Sequence, residues 1–270
     1  MMRADPALLD AFAGLAAEAG RILLETPRRA GMTAKPDGSP VTAADIACEK
    51  AMARRISALL PGVPIIGEES APEGCRLPEG GRLILLDPLD GTRAFIDGRD
   101  DFCICLALVE GGEPVLGVLG APARGMVYAG LAGSAPLCWA AKVGANGVLA
   151  AERTALKVRT GRRPPIGLVS ERHGDPASEA ILERVGAVER PSLSSALKFA
   201  ALAEGKADLY PRLAPTMGWD TAAGQAVLAA AGGATYGASG AILRYDAGQP
   251  LLNAGFVAVG DMALRATIFG

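Results

Sequence analysis

Residues 83–92 read LILLDPLDGT, an apolar run followed by an acidic turn. Its four leading aliphatic residues form a continuous apolar run of strand length, which predicts a buried strand that ends at Asp87. Pro88 removes a backbone donor and fixes the local path, so the turn presents Asp87 and Asp90 to one side. The two carboxylates and the Leu89 carbonyl are hard oxygen ligands suited to Mg²⁺. An Asx turn explains Asp90 beside a glycine, but it does not explain Asp87 directly after four aliphatic residues.

The end of this stretch and three other acidic positions add to the pattern. Gly91-Thr92 places a backbone N–H beside a hydroxyl, a combination that can hold a phosphate oxygen. Glu68 follows a short apolar run, Asp45 is the last residue of a capping box, and Asp220 begins a helix predicted over residues 219–231. Each acid alone has an ordinary explanation as a cap or a solvated loop residue. Their joint spacing indicates a site.

Helix and strand signals surround these motifs. Asp5-Pro6 predicts the start of a helix, because Asp is a good N-cap and Pro fits the first turn. Its buried face is predicted at Leu8, Phe12, Leu15, Ala19 and Leu23. Residues 42–45 predict a second helix that reaches about Leu60, with a buried stripe at Ile46, Met52, Ile56 and Leu59. Three later apolar segments separated by glycine turns predict a strand meander over residues 103–130.

Composition limits the classes of protein. The chain has 270 residues, 50% of them hydrophobic, so it can bury a core and is not disordered. A net charge of −2 argues against a general nucleic-acid binder, but it allows a small anionic ligand. Five cysteines without a C-x-x-C pair predict buried thiols in a reducing compartment. The single histidine, His173, excludes a multi-histidine metal site.

The first 25 residues carry several charges and no apolar core, so we expect no signal peptide and a cytoplasmic protein. Residues 221–243 are uncharged, but they are rich in Ala and Gly and contain Gly232-Gly233. We interpret them as a tightly packed helix followed by a strand or turn, and not as a membrane span.

Four motifs together resemble those of the inositol-monophosphatase-like superfamily of lithium-sensitive phosphatases. They read KPDGSPVTAAD at 35–45, GEES at 67–70, DPLDGT at 87–92 and WDTAAG at 219–224, in the family's order. The resemblance implies an α+β, layered αβαβα sugar-phosphatase fold with two subdomains. The Gly-, Ala- and Arg-rich segment 131–163 marks the expected joint between an N-terminal α+β domain at 1–145 and a C-terminal α/β domain at 146–270.

The resemblance also implies roles for individual residues. Two or three Mg²⁺ ions are expected on Glu68, Asp87, the Leu89 carbonyl, Asp90 and Asp220. Thr92, paired with Asp45, and Glu68 are expected to orient and deprotonate the attacking water. Gly91 and Thr92 are expected to hold the phosphate, and Leu89 and Asp220 also belong to the expected substrate site.

Within this family, residues 197–224 look most like the bacterial 3'(2'),5'-bisphosphate nucleotidase branch. Enzymes of that branch remove the 3'-phosphate of adenosine 3',5'-bisphosphate and give AMP. Lys198 and Arg212 are plausible partners of a second phosphate, and His173 is placed to stack on a base or bind a phosphate. Two departures weaken the choice of substrate: Glu171 replaces an Arg of the branch, and residues 194–196 read SSA where the branch has Gly-Ser-Ser.

Two alternatives stay open. An inositol or other sugar-phosphate phosphatase on the same scaffold would not need a cationic pocket for a second phosphate. An inactive metal- or nucleotide-binding sensor is disfavoured, because it would not need the water-orienting pair of Thr92 and Asp45. The expected partner is a small-molecule phosphate ester and no nucleic-acid polymer, for a monomer or homodimer. Peripheral association with the inner face of a membrane is suggested by the family alone, since the chain has no lipidation motif or basic amphipathic helix.

Overall fold

The computed structural model describes residues 4–35, 38–72, 74–79, 81–171 and 174–270. His173 lies outside these ranges, so its assignment as a substrate contact stays a prediction. The α-helices of the described ranges are Pro6–Glu25 (α1), Ala43–Leu59 (α2), Thr92–Ile96 (α3), Pro176–Arg184 (α4), Leu197–Ala203 (α5), Ala222–Ala230 (α6) and Arg265–Phe269 (α7). Short 3-10 helices span Pro122–Arg124, Gly218–Asp220 and Met262–Leu264.

The strands form one large sheet and several small ones. Thr33–Ala34 (β1) and Pro40–Val41 (β2) make a hairpin. The main sheet has, in spatial order, Ile65–Gly67 (β3), Arg82–Asp90 (β4), Cys103–Glu110 (β5), Glu113–Ala121 (β6), Met126–Leu131 (β7), Leu137–Lys142 (β8) and Thr154–Ala155 (β9). The C-terminal half adds Val169–Ser170 (β10), Ser192–Leu193 (β11), Leu209–Arg212 (β12), Thr216–Met217 (β13), Ala234–Gly237 (β14), Leu252–Asn253 (β15) and Phe256–Val259 (β16).

In the main sheet, β3 and β4 are parallel and each following pair is antiparallel, so the predicted meander is confirmed in β5, β6 and β7. The second sheet has the order β12-β16-β14 and is antiparallel. β10 pairs in parallel with β11, and β13 pairs antiparallel with β15.

Both predicted helix starts are confirmed. The Asp5 Oδ1 atom accepts a hydrogen bond from the Leu8 N–H at 2.9 Å, and all five predicted apolar positions of α1 are buried. At the start of α2, the Thr42 N–H donates to Asp45 Oδ2 at 2.8 Å, while Thr42 Oγ1 accepts from the Ala44 N–H at 3.2 Å. The capping box therefore fixes the Asp45 carboxylate as well as the helix.

The predicted stripe of α2 is partly wrong. Met52 and Ile56 are buried as expected, but Ile46 is 41% exposed and Leu59 is half-buried. The buried face begins at Ala44 and continues through Cys48 at four-residue intervals. A position two residues after Ala44 is rotated about 200° around the helix, which places Ile46 on the solvent side.

The side chains group into five layers. On one face of the main sheet, Ile84, Leu86 and Ile104 pack with the apolar faces of α1 and α2. The opposite face, with Leu85 and Cys105, packs with α5 and α6, which in turn meet the β12-β16-β14 sheet. The far side of that second sheet packs with α4 and α7. The predicted αβαβα layering is thus confirmed.

Strand β4 does not end at Asp87 as predicted, but continues to Asp90 through a bulge. Asp87 lies opposite Cys105 and Asp90 lies opposite Cys103, so three steps on β4 match two steps on β5. Alternate residues of a strand share a face, and opposed residues of neighbouring strands do so as well. One extra residue in β4 therefore brings both aspartates to the face that Cys103 and Cys105 share.

Helix α6 lies very close to the main sheet over two glycines. A Cβ atom added to Gly117 of β6 would lie 2.2 Å from the Ala223 carbonyl oxygen, and one added to Gly130 of β7 would lie 2.6 Å from Val227 Cα. Both positions therefore require glycine. The uncharged segment 221–243 is this packed helix followed by β14, as predicted. Among the described residues, no helix has the length and apolarity that a membrane crossing needs.

Four of the five thiols are buried as predicted, and Cys75 is half-buried. The division into domains at residues 145 and 146 stays a prediction. The main sheet itself extends past that point, because β9 pairs with β8 at Trp139 and Ala140.

Candidate active site

A cavity of about 500 Å³ opens where β4 ends, and it collects most of the predicted site residues. Its lining includes Glu68, Asp87, Leu89, Asp90, Gly91, Thr92, Lys198, Arg212 and Asp220. Asp45 lies behind Thr92 and not in the lining. The structure therefore brings together residues that are as far apart in sequence as Asp45 and Asp220.

Three aspartates form the centre of this cavity. One carboxylate oxygen from each of Asp87, Asp90 and Asp220 lies within 4.8 Å of the others. The bulge of β4 positions the first two, and Asp87 Oδ1 also accepts from the Leu89 N–H at 2.8 Å. Asp220 comes from the 3-10 helix before α6, where Thr216 Oγ1 donates to its Oδ2 atom at 2.7 Å. The arrangement gives a compact set of oxygen donors from two separate parts of the chain.

Glu68 joins the cluster from the end of β3, where its N–H donates to the Leu86 carbonyl at 3.1 Å. Glu69 follows directly, so the sequence places two negative charges side by side. The structure places the Lys35 ammonium between them, 2.7 Å from Glu68 Oε1 and 2.8 Å from Glu69 Oε1. Sequence reasoning gave Lys35 no role, although it begins the first motif and the adjacent acids call for a nearby cation.

The cluster is electrostatically costly without a cation. Burial, followed by repulsion from Asp220, raises the pKa of Glu68 to about 7 and that of Asp90 to about 6. Burial and the charge of Glu68 raise the pKa of Asp87 well above its usual value. Both causes disfavour the charged carboxylates, and a bound divalent cation would offset both. A set of carboxylates and a backbone carbonyl fits hard cations such as Mg²⁺.

Thr92 and Asp45 form the predicted pair. Thr92 Oγ1 lies 3.3 Å from Asp45 Oδ1 and 3.1 Å from the Leu89 carbonyl oxygen. The other carboxylate oxygen of Asp45 accepts from the Thr42 N–H and hydroxyl. Burial raises the pKa of Asp45, and this effect exceeds the lowering that the hydrogen bonds from Thr42 cause. Its carboxylate is therefore held rigidly with one oxygen toward Thr92.

Gly91 and Thr92 begin helix α3 at the cavity wall. The φ of Gly91 is +92°, a backbone conformation that favours glycine. The first N–H groups of an α-helix have no acceptor within the helix. Gly91 and Thr92 line the cavity together with the carboxylates, so a phosphate oxygen bound there can accept from these N–H groups.

The two cationic residues differ in how much hydrogen-bonding capacity they retain. Lys198 is only 3% exposed, and its ammonium donates to the carbonyl oxygens of Leu193 and Ser195, each at 2.8 Å. It also lies 4.9 Å from the centre of the Tyr210 ring. Arg212 Nε is buried and has no hydrogen-bond partner among the described residues. Arg212 therefore retains an N–H donor for an anion, whereas the Lys198 ammonium already makes two hydrogen bonds to the protein.

Glu171 does not stand alone at the cavity wall. Its carboxylate pairs with the guanidinium of Arg99, which also pairs with Asp101. Burial opposes ionisation of Asp101, but hydrogen bonds from Arg99 and the Ser194 N–H outweigh it and hold its pKa below the usual value. Sequence reasoning missed this network, because residues 99 and 171 are brought together only by the tertiary fold.

The chain belongs to the inositol monophosphatase family, whose model matches residues 6–267. Among its relatives, the 3'(2'),5'-bisphosphate nucleotidase CysQ of Escherichia coli K12 is 37% identical over 252 residues, which are 92% of this chain and 98% of that protein. The protein of the same name from Salmonella typhimurium is 39% identical over 222 residues, 82% of this chain and 86% of that protein.

Solved structures agree with this assignment. The crystal structure of CysQ from Bacteroides thetaiotaomicron, a bacterial member of the family, is 31% identical and has a TM-score of 0.75, over 93% of this chain and 96% of that one. An inositol monophosphatase from Zymomonas mobilis is 25% identical with a TM-score of 0.73, and the match covers 98% of both chains.

Proposed function

We propose that this chain is a Mg²⁺-dependent phosphomonoesterase that removes the 3'-phosphate of adenosine 3',5'-bisphosphate, giving AMP and phosphate. The observation that carries the proposal is the convergence of Asp87, Asp90 and Asp220 within 4.8 Å in the cavity that Thr92 lines. The nucleotidase relatives, matched over most of their length, support the choice of substrate.

The cation site consists of the side chains of Glu68, Asp87, Asp90 and Asp220 together with the Leu89 carbonyl, and we expect two or three Mg²⁺ ions there. Bound divalent cations supply positive charge for the dianionic phosphate and act as Lewis acids on its oxygens and on water. In their absence, the acidic cavity repels a phosphate ester.

Thr92 and Asp45 accept the proton of the attacking water. When the Thr92 hydroxyl donates to Asp45 Oδ1, its lone pairs remain to accept a proton from a water in the cavity. Thr92 can then pass its own proton to Asp45 as it receives one from the water. Glu68, in the motif at residues 67–70, orients the same water. This relay uses no histidine or cysteine nucleophile.

Gly91 and Thr92 hold the reacting phosphate through their backbone N–H groups, and Leu89 and Asp220 border the same part of the cavity. Arg212 is the main partner of the second phosphate, since a guanidinium binds phosphate in a bidentate manner. Lys198 adds positive charge from beneath the 193–196 segment.

The test is phosphate release by the purified protein with Mg²⁺, comparing adenosine 3',5'-bisphosphate with inositol 1-phosphate, each with and without lithium. A preference for the bisphosphate of at least about tenfold, which is about 1.4 kcal/mol of transition-state binding, is the expected result. A preference for the inositol ester would contradict the nucleotidase assignment and leave the phosphatase assignment standing. No release from either ester would contradict both.

The second candidate is an inositol or other sugar-phosphate phosphatase. One observation favours it: the Lys198 ammonium already donates to two backbone carbonyls, which leaves Arg212 as the main cation for a second phosphate. The same assay separates the two candidates.

A further inference from the structure

A pair of thiols lies directly behind the acidic cluster. Cys103 and Cys105 are alternate residues of β5, so their side chains share one face of the main sheet, and both are fully buried. Their Sγ atoms are 3.8 Å apart, and Cys103 Sγ is 3.9 Å from Asp90 Oδ2. The three donor atoms all lie within 4.8 Å of one another.

These separations match a particular coordination geometry. In a tetrahedral zinc site, Zn–S bonds of about 2.3 Å and Zn–O bonds of about 2.0 Å place two sulfurs about 3.8 Å apart and a sulfur and an oxygen about 3.5 Å apart. The observed distances of 3.8 and 3.9 Å are close to both values. Two of the three separations are therefore close to those of donors that share one ion, and the third, between Cys105 Sγ and an Asp90 carboxylate oxygen, is at most 4.8 Å.

The two donor sets around Asp90 differ in chemical softness. Toward Asp87 and Asp220, Asp90 belongs to an all-oxygen set that suits Mg²⁺, and toward Cys103 and Cys105 it belongs to a set with two sulfurs. Thiolates select soft or borderline cations such as Zn²⁺ and Cd²⁺ over Mg²⁺. The two sets share the Asp90 carboxylate, so a cation in the second set competes with one in the first for this ligand.

We infer that Cys103, Cys105 and Asp90 form a second, thiophilic cation site that binds Zn²⁺ or Cd²⁺ and thereby antagonises Mg²⁺ at the acidic cluster. This site adjoins the cavity through Asp90, which lines it. On binding, each thiol releases its proton to water and the resulting thiolates bond to the cation, with no change in oxidation state. The antagonism rests on the proposed function, whereas binding of the soft cation does not.

The experiment is a Cd²⁺ titration of the reduced, cation-free protein, read by the ultraviolet charge-transfer absorption of cadmium–thiolate bonds. We expect an absorption band that corresponds to one thiolate-bound Cd²⁺ per chain. Cys103→Ser and Cys105→Ser should each weaken binding by at least about tenfold, because each removes a ligand. The double variant should lose the absorption band. A band of unchanged size in the double variant, or no band in the wild type, would overturn the inference.

Two other cysteines provide matched controls. Cys138→Ser changes a buried thiol on β8, which lies 3.4 Å from the Val227 carbonyl oxygen, and Cys75→Ser changes the half-buried one. Both variants should keep the band, and its loss in Cys75→Ser would place the ion elsewhere. If the Cys103 and Cys105 variants do not fold, anomalous diffraction from cadmium-soaked wild-type crystals decides: a peak between both Sγ atoms and Asp90 supports the site, and a peak only elsewhere overturns it.

Antagonism is measured separately through phosphate release. Cd²⁺ should raise the Mg²⁺ concentration that gives half-maximal activity at least about tenfold in the wild type, and by less in the Cys103→Ser/Cys105→Ser double variant. An equal shift in both proteins would overturn the antagonism. If the wild type releases no phosphate at all, the proposed function fails, while the absorption titration still tests the cation site.

Discussion

The Thr92 hydroxyl lies 3.3 Å from the Asp45 carboxylate, which two hydrogen bonds from Thr42 hold in place. We expect Thr92→Ala to lower kcat by at least about a hundredfold, because the water loses its proton acceptor. Mg²⁺ binding should be nearly unchanged, since Thr92 is not among the proposed cation ligands. Steady-state phosphate release and calorimetric Mg²⁺ titration check the two parts. Thr92→Ser keeps the hydroxyl and is the matched control; equal losses in both variants would contradict the role of the hydroxyl.

Cation binding should be visible in the stability of the protein. Mg²⁺ should raise the melting temperature, because the proposed site exists only in the folded acidic cluster and a bound cation would offset the repulsion there. Asp220→Asn should stabilise the cation-free protein and shrink the Mg²⁺-induced shift, since it removes both a repelling charge and a ligand. The shift should also be smaller below pH 7 than above it, because protons compete for Glu68, whose pKa is about 7.

Scanning fluorimetry with and without Mg²⁺ measures both effects. Glu113→Gln is the control, because Glu113 is an exposed acid outside the cavity lining. An undiminished Mg²⁺ shift in Asp220→Asn would show that the cation binds somewhere else.

Substitution of Arg212 should lower the activity on a substrate with two phosphates more than the activity on a substrate with one. We expect Arg212→Met to lower kcat/KM for adenosine 3',5'-bisphosphate at least about tenfold, since it removes a charge-assisted hydrogen bond. The value for inositol 1-phosphate should change little. Arg212→Lys should recover only part of the loss, because an ammonium cannot bind phosphate in a bidentate manner. Equal losses for the two esters would place Arg212 at the reacting phosphate.

Substitution of Lys198 should affect the stability of the protein as well as substrate binding. Its ammonium holds the Leu193 and Ser195 carbonyls, so Lys198→Met should leave both without this donor and reduce the free energy of unfolding by about 2 kcal/mol. Urea denaturation measures this loss. Lys206→Met, on an exposed side chain, is the control with little expected effect. If Lys198→Met is as stable as the wild type, the ammonium is not needed for this support and acts on the ligand.

Asp261 should make stability depend on pH. Burial opposes its ionisation, but hydrogen bonds from Arg163 and from the Gly161 and Ala263 N–H groups outweigh it and lower its pKa. A folded-state pKa below the unfolded value stabilises the protein fully above the unfolded pKa, and this stabilisation is lost as the pH falls through the folded pKa.

We therefore expect Asp261→Asn to be destabilised at pH 7, with a difference from the wild type that shrinks below about pH 4. Denaturant unfolding across this range is the measurement. Asp100→Asn, on a carboxylate that is 67% exposed, should show a smaller difference at every pH. A difference for Asp261→Asn that is independent of pH would contradict the assigned cause.

Local signals in the sequence predicted local structure well. The helix starts at Asp5 and Thr42 depend on contacts within three residues, and the αβαβα layering followed from motifs that resemble a known family. The extension of β4 to Asp90 was not predictable in the same way, because a bulge is defined by the register with β5. The structure brings the metal-ligand candidates together in one cavity, but their binding of a metal stays a prediction.

The features that the sequence could not supply are long-range ones. The ammonium of Lys35 meets Glu68 across 33 positions, and Arg99 meets Glu171 across 72. The sequence predicts Lys198 as a cation for the ligand, because nothing in it indicates that the ammonium donates to the Leu193 and Ser195 carbonyls. Such pairings depend on how separate elements pack, which a single sequence does not encode in any local pattern.

The two glycines under α6 have a consequence for the chemistry as well as for packing. Asp220 comes close before this helix, whereas Asp87 and Asp90 belong to the sheet. Gly117 and Gly130 therefore set the distance between α6 and the sheet, and with it the distance between Asp220 and the other two aspartates. A single methyl group at either position would lift the helix and pull the aspartates apart. The separation of the three carboxylates, and with it the size of ion that the proposed site would accept, thus depends on two residues that have no side chain and do not line the cavity.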